Sequence, residues 1–199
     1  MLDRREFLLT SAVSVLPTIR SGGCRFLVEP GNPLAAESLR GYRRRLRESA
    51  EARLIVVPGF RKLSAGQLIA LQTSVLNGAC VVLETGLAFA SGEEIAAQSA
   101  DLWNHFGIRI APQLSKATGG FRYIRYHWPI DTMVRDFSAA VVLEPGSGEP
   151  IGSAAGQVLA IRRRVGQGCM IYLGSPLGPA LLAEDKQAES WIRTLSEGV

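Results

Sequence analysis

The sequence predicts an α/β fold: a three-layer sandwich with a mainly parallel sheet, completed by a C-terminal β-hairpin plus helix. Three observations carry this expectation. Leu54-Ile55-Val56-Val57 and Ala79-Cys80-Val81-Val82-Leu83 are continuous apolar runs bounded by turn residues, the pattern of strands buried on both faces. Segments of helical period separate them, and strand, helix, strand, helix, strand at this spacing implies right-handed crossovers and a parallel sheet. Near the C-terminus, Val158 and its neighbours, then Gly166-Gln167-Gly168, then Met170-Ile171-Tyr172-Leu173 read as two strands joined by a tight turn.

The 199 residues suffice for one domain. With 47% hydrophobic and 20% charged residues, the composition is that of a globular chain. No apolar run reaches the roughly 20 residues of a membrane helix. The net charge of +4 is too small to imply nucleic acid. Three cysteines, Cys24, Cys80 and Cys169, show no metal-ligand spacing. Cys80 and Cys169 read as small buried hydrophobes, with a disulfide open to them if their strands are neighbours. With two histidines far apart, no histidine-rich metal site is expected, and nothing calls for a cofactor.

Residues 1–23 read as an export segment and 24–199 as a single domain. Arg4-Arg5-Glu6-Phe7-Leu8 resembles the twin-arginine export motif, followed by an apolar stretch and then Pro17 and Arg20. The resemblance implies a periplasmic or otherwise exported protein. The alternative is an amphipathic N-terminal helix with two surface arginines.

Along the rest of the chain, Phe26-Leu27-Val28-Glu29 reads as a short strand ended by Pro30-Gly31-Asn32-Pro33. A helix is expected over 34–50, with Leu34, Leu39, Tyr42 and Leu46 inward and a basic, solvated opposite face. Ser64 caps a helix over 65–76, ended by Asn77-Gly78. Ser91 and Glu94 have capping-box spacing for a helix ending at Gly107. Short strands are expected at 108–110 and 139–143. The 121–128 segment alternates like an edge strand or an extended arm, 146–150 reads as a turn, and a last helix is expected over 180–195.

Val56-Val57-Pro58-Gly59, the unit ending Leu83-Glu84-Thr85-Gly86, and Val165-Gly166-Gln167-Gly168 with its following strand together resemble the class I glutamine amidotransferase-like superfamily. The similarity is nearer to its trehalose-utilisation-like and β-galactosidase-attached branches. It implies a flavodoxin-like arrangement. In the enzymes of that superfamily a G-x-C-x-G elbow follows the third strand; here Glu84 stands where the cysteine would be and Gly86 is retained. A carboxylate cannot form the thioester of amide hydrolysis, so glutaminase activity is not expected.

Glu84 is the leading candidate, at the carboxyl edge of a parallel sheet, where such folds bind ligands. Glu29 ends the first strand at the same edge. Two carboxylates there can act as acid and base, or hold a sugar hydroxyl or cation; the alternative is that Glu84 caps a helix or pairs with an arginine. Gly59 and Phe60 match the oxyanion-hole region of the superfamily, and Thr85 and Gly86 complete the candidate ligand set. His127, in Tyr126-His127-Trp128-Pro129, is a candidate base within an aromatic cluster that serves equally to pack an arm. The expected function is an exported, non-catalytic domain binding a small polar ligand, carbohydrate first, or a protein partner. Two rivals stand beside it: a hydrolase or isomerase built on Glu84, and a structural subunit self-associating through 121–136.

Overall fold

A computed structural model of the chain describes residues 23–85, 91–111, 123–137 and 140–198. Residues 1–22 of the segment expected to direct export, and Gly86, lie outside these residues; Gly23 opens the first strand.

The first half builds the parallel part of the sheet. Strand β1 (Gly23–Phe26) leads to helix α1 (Pro33–Arg43), whose Asn32 cap accepts from the Leu34 and Ala35 N–H groups, with Pro33 in the first turn. The helix is shorter than the 34–50 expected; the chain leaves it to form β2 (Arg47–Glu48). Strand β3 (Leu54–Phe60) is buried throughout, and α2 (Ala65–Leu76) starts with a complete Ser64/Gln67 capping box. Strand β4 (Cys80–Thr85) precedes α3 (Gly92–Phe106), which carries the Ser91/Glu94 capping box and ends at the left-handed Gly107.

The second half overturns the expectation of a mainly parallel, flavodoxin-like sheet. Strands β5 (Tyr123–Tyr126), β6 (Thr132–Arg135), β7 (Glu149–Ala154), β8 (Gln157–Val165) and β9 (Gly168–Leu173) extend it into one nine-stranded sheet, ordered β2-β1-β3-β4-β9-β8-β7-β5-β6. Its eight junctions divide into four parallel ones, from β2 to β9, and four antiparallel ones, from β9 to β6. The hairpin β8–β9 was expected; β6 and β7 were not. Strand β6 has only four residues, and β7 opens inside the segment read as a turn, with Pro150 near its start where a missing N–H is tolerated. The expected strands at 108–110 and 139–143 reduce to one antiparallel bridge between Ile110 and Leu143.

The final helix is two: α4 (Gly178–Leu182) and α5 (Lys186–Glu197). Glu184 takes a positive φ of 61° between them, and Asp185 caps α5. Helices α1, α4 and α5 cover one face of the sheet through Tyr42, Leu181, Trp191 and Ile192; α2 and α3 cover the other through Leu71, Val75, Leu102 and Phe106. Alternation along the central strands supplies both cores, Val56 and Val82 to the first, Val57 and Leu83 to the second. The three layers are therefore present around a mixed sheet. Among the described residues no helix is long and apolar enough to cross a membrane.

Candidate ligand cleft at the carboxyl edge

Five candidate residues, Glu29, Gly59, Phe60, Glu84 and Thr85, gather where β3 and β4 end, and backbone chemistry explains why. Glu84 is fully buried. Its Oε1 accepts from the Gly178 N–H at the start of α4 (2.6 Å); its Oε2 accepts from the Gly59 N–H (3.1 Å) and the Ser38 hydroxyl of α1. The carboxyl thus ties α1, the end of β3 and α4 together and satisfies a helix-start donor that would otherwise be buried unpaired. Burial pushes its pKa from the ordinary 4.5 up to about 7, against the opposing pull of these hydrogen bonds.

Close packing around this carboxyl demands glycine at two positions. A Cβ on Gly178 would stand 1.7 Å from the Ser38 Oγ. Gly59 has φ +50° and its Cβ would meet the Ala35 N at 3.0 Å. Its N–H is engaged by Glu84, and its carbonyl accepts from the Asn32 side chain at 2.9 Å. In the region resembling an oxyanion hole, the Gly59 N–H is therefore occupied within the fold.

Glu29 performs a similar local task. Its Oε2 accepts from the Asn32 Nδ2 (2.8 Å) and the Arg61 N–H (2.7 Å), joining the loop after β1 to the end of β3. Phe60 is buried, with its ring edge-on to Tyr172 and its carbonyl accepting from the Gln98 Nε2 at 3.2 Å. Thr85 is buried beside it.

His127 is not brought to this group. It is exposed, and its N–H donates to the Ile151 carbonyl at 2.8 Å. Strands β9, β8 and β7 lie between β4 and β5, which His127 follows. Four strand spacings amount to about 19 Å, so Glu84 and His127 do not share one reaction centre.

A cleft opens between the end of β3 and α3, on the face of the sheet opposite the Glu84 carboxyl, with a volume of about 230 Å³; neither Glu84 nor Glu29 lines it. Its wall is apolar at Phe60, Leu63 and Leu102 and polar at Arg61, Glu94 and Gln98. Arg61 pairs with Glu94 across it. The Ser91 N–H, at the start of α3, and the Arg61 guanidinium hold the Glu94 carboxyl below its usual range. Gln98 is fixed by donating to the Phe60 and Arg61 carbonyls and accepting from the Tyr172 hydroxyl at 3.2 Å. An apolar floor with a few fixed polar groups is the usual make-up of a small-molecule site. Arg61 and Gln98 were not singled out from sequence, and Glu94 was read only as a helix cap. The available signal was Gln98, a polar residue on the inward face of α3. No cluster of three metal-ligating side chains occurs among the described residues.

The chain matches no family model and no curated protein. Its fold is shared with solved glycoside hydrolases. A β-galactosidase from the Antarctic haloarchaeon Halorubrum lacusprofundi superposes with TM-score 0.59 at 15% identity, over 90% of this chain and 30% of that one. Gan42B, a GH42 β-galactosidase from G. stearothermophilus, gives 0.55 at 16%, over 83% of this chain and 25% of that one. The exo-β-1,4-mannosidase Op5Man5 from Opitutaceae bacterium strain TAV5 gives 0.53 at 16%, over 89% and 35%. At these identities the likeness establishes the fold: a mixed-sheet α/β module of a kind found within β-galactosidase chains. This chain spans about a third or less of the length of those proteins.

Proposed function

We propose that this chain is an exported, non-catalytic α/β module of the amidotransferase-like kind, which binds a small polar ligand, carbohydrate first, in the cleft between β3 and α3. The observation that carries the reading is the division of labour at the carboxyl edge. Glu84 and Glu29 are consumed in holding the scaffold, while Arg61 and Glu94 line an accessible cleft over an apolar floor. A planar guanidinium beside a carboxylate offers donors and acceptors to sugar hydroxyls, and Phe60 and Leu63 offer apolar surface to a ring face. Occurrence of the same fold inside glycoside hydrolases points to carbohydrate as the class to test. Calorimetry against galactose, mannose and their short β-linked oligomers is the experiment. Binding that Arg61→Ala weakens at least tenfold supports the reading; saccharide binding undiminished in Arg61→Ala refutes the cleft. Export rests on the twin-arginine resemblance, and replacement of both Arg4 and Arg5 by Lys should block translocation.

A second reading has its own observation. Tyr123, Met133 and Phe137 are exposed by 42%, 54% and 42% around the edge strand β6. An edge strand bordered by large exposed apolar side chains suits self-association through this arm. A strict monomer by light scattering at high concentration would remove that reading.

A further inference from the structure

The opposite edge of the sheet holds a cluster that the proposed cleft does not use. Ladder register aligns Cys24, Leu54, Cys80, Cys169 and Arg164 in one row across β1, β3, β4, β9 and β8. Directly paired residues on neighbouring strands project to the same face. Cys80 and Cys169 therefore stand side by side, with Arg164 flanking Cys169 on its other side. Adjacent strands lie about 4.8 Å apart, within the roughly 4.4–6.8 Å that disulfides span between Cα atoms. Cys24 is two strands from Cys80, ~9.6 Å at that spacing, and out of reach.

All three cysteines are free thiols. Cys80 and Cys169 line a cleft of about 390 Å³ together with Arg53, Trp128, Arg162 and Arg164. Arg162 stacks over Trp128 and pairs with Glu149, so Arg53 and Arg164 are the cations left to meet an anion there. The neighbouring Cys80 thiol, then Arg162 and Arg164, lower the Cys169 pKa against the opposing effect of burial. The Cys169 sulfur beside it and burial raise Cys80. Burial, with Glu48 adding, pushes Cys24 up to about 12. Cys169 is the half-exposed member of the pair and Cys80 the buried one.

We propose that Cys80 and Cys169 form a redox-active dithiol that reacts with a carboxylate-bearing low-molecular-weight disulfide. The Cys169 thiolate attacks one sulfur of that disulfide; its S–S bond breaks, a mixed disulfide forms on Cys169, and one thiolate leaves. Cys80 then loses its proton to solvent and attacks the Cys169 sulfur, expelling the second thiolate. The dithiol is oxidised by two electrons to a Cys80–Cys169 disulfide and the small disulfide is reduced to two thiols. The arginines draw the carboxylates in and stabilise the attacking thiolate.

The test uses the folded, reduced full chain and glutathione disulfide, read by peptide mass mapping. Wild type should gain a Cys80–Cys169 link while Cys24 stays a thiol. Cys80→Ser should accumulate a glutathionyl adduct on Cys169, Cys169→Ser should form neither product, and Arg164→Gln should slow adduct formation several-fold. Cys80→Ala replaces Cys80→Ser if the serine variant does not melt cooperatively. The proposal is overturned if Cys169 stays unmodified where free cysteine reacts, or if Cys24 is modified as fast as Cys169.

Discussion

Neutralising Glu84 separates a scaffold carboxyl from a ligand-binding one, and its effect should depend on pH in a defined direction. The native pKa of about 7 lies above the ordinary 4.5, so between these values the folded state holds a proton that the unfolded state has released. Stability from this group is fully present below pH 4.5 and is lost as pH rises through 7. At 1.36 kcal/mol per unit, the loss amounts to about 3 kcal/mol, or roughly 6–12 °C in Tm for a chain of this size. Glu84→Gln removes the titration. Its amide oxygen can accept from Gly178, and its NH₂ can donate to Ser38, but the NH₂ then faces the Gly59 N–H. One buried donor is left unpaired, at about 1–3 kcal/mol. The variant should therefore melt below wild type at pH 5, and the gap should close by pH 8 as wild type alone loses stability. Thermal melts of both proteins across pH 4.5–8 measure this, and their difference cancels the other titrating groups. A gap that widens toward pH 8 would mean the carboxylate is the stabilised form and would refute the burial argument.

Other expectations follow from packing and from the cleft. Val56→Asp places an unpaired charge between β1 and β4 at a fully buried position, a penalty of several kcal/mol against a total of about 5–15, so the variant should not show a cooperative melt. Gly178→Ala drives a methyl into Ser38 and should lower stability by about 1–3 kcal/mol or more by denaturant titration. Trp191→Phe removes the 2.8 Å bond to the Trp128 carbonyl and should destabilise by about 1–3 kcal/mol in the same assay.

The parallel half of the fold was legible because each of its signals is local. The apolar runs of β3 and β4, the Ser64 and Ser91 caps and the Gly107 stop are each read within a few residues. Of the antiparallel half, the β8–β9 hairpin and the alternation of β5 were legible, but β6 and β7 were not, because a four-residue strand such as β6 has little periodicity of its own and is defined by its partners. The edge position of Glu84 was also legible; its environment was not. Its partners Ser38 and Gly178 lie 46 and 94 residues away, and no short-range pattern announces that a glycine at the start of a five-residue helix will donate to it. His127 shows the converse. Its neighbours alternate as a strand should, yet that strand joins the sheet four places from β4. Arg61 was not singled out and Glu94 was read only as a helix cap, because their pairing across β3 and α3 is a tertiary event.

The most direct test of the proposed cleft is an amide NMR titration of the isotopically labelled chain with a short β-linked galactoside or mannoside. Shifts concentrated at 60–63 and 94–102, and absent from Arg61→Ala, are the expected result. Shifts centred instead on His127 and Trp128, or none at any saccharide concentration up to saturation of solubility, would contradict a carbohydrate site between β3 and α3.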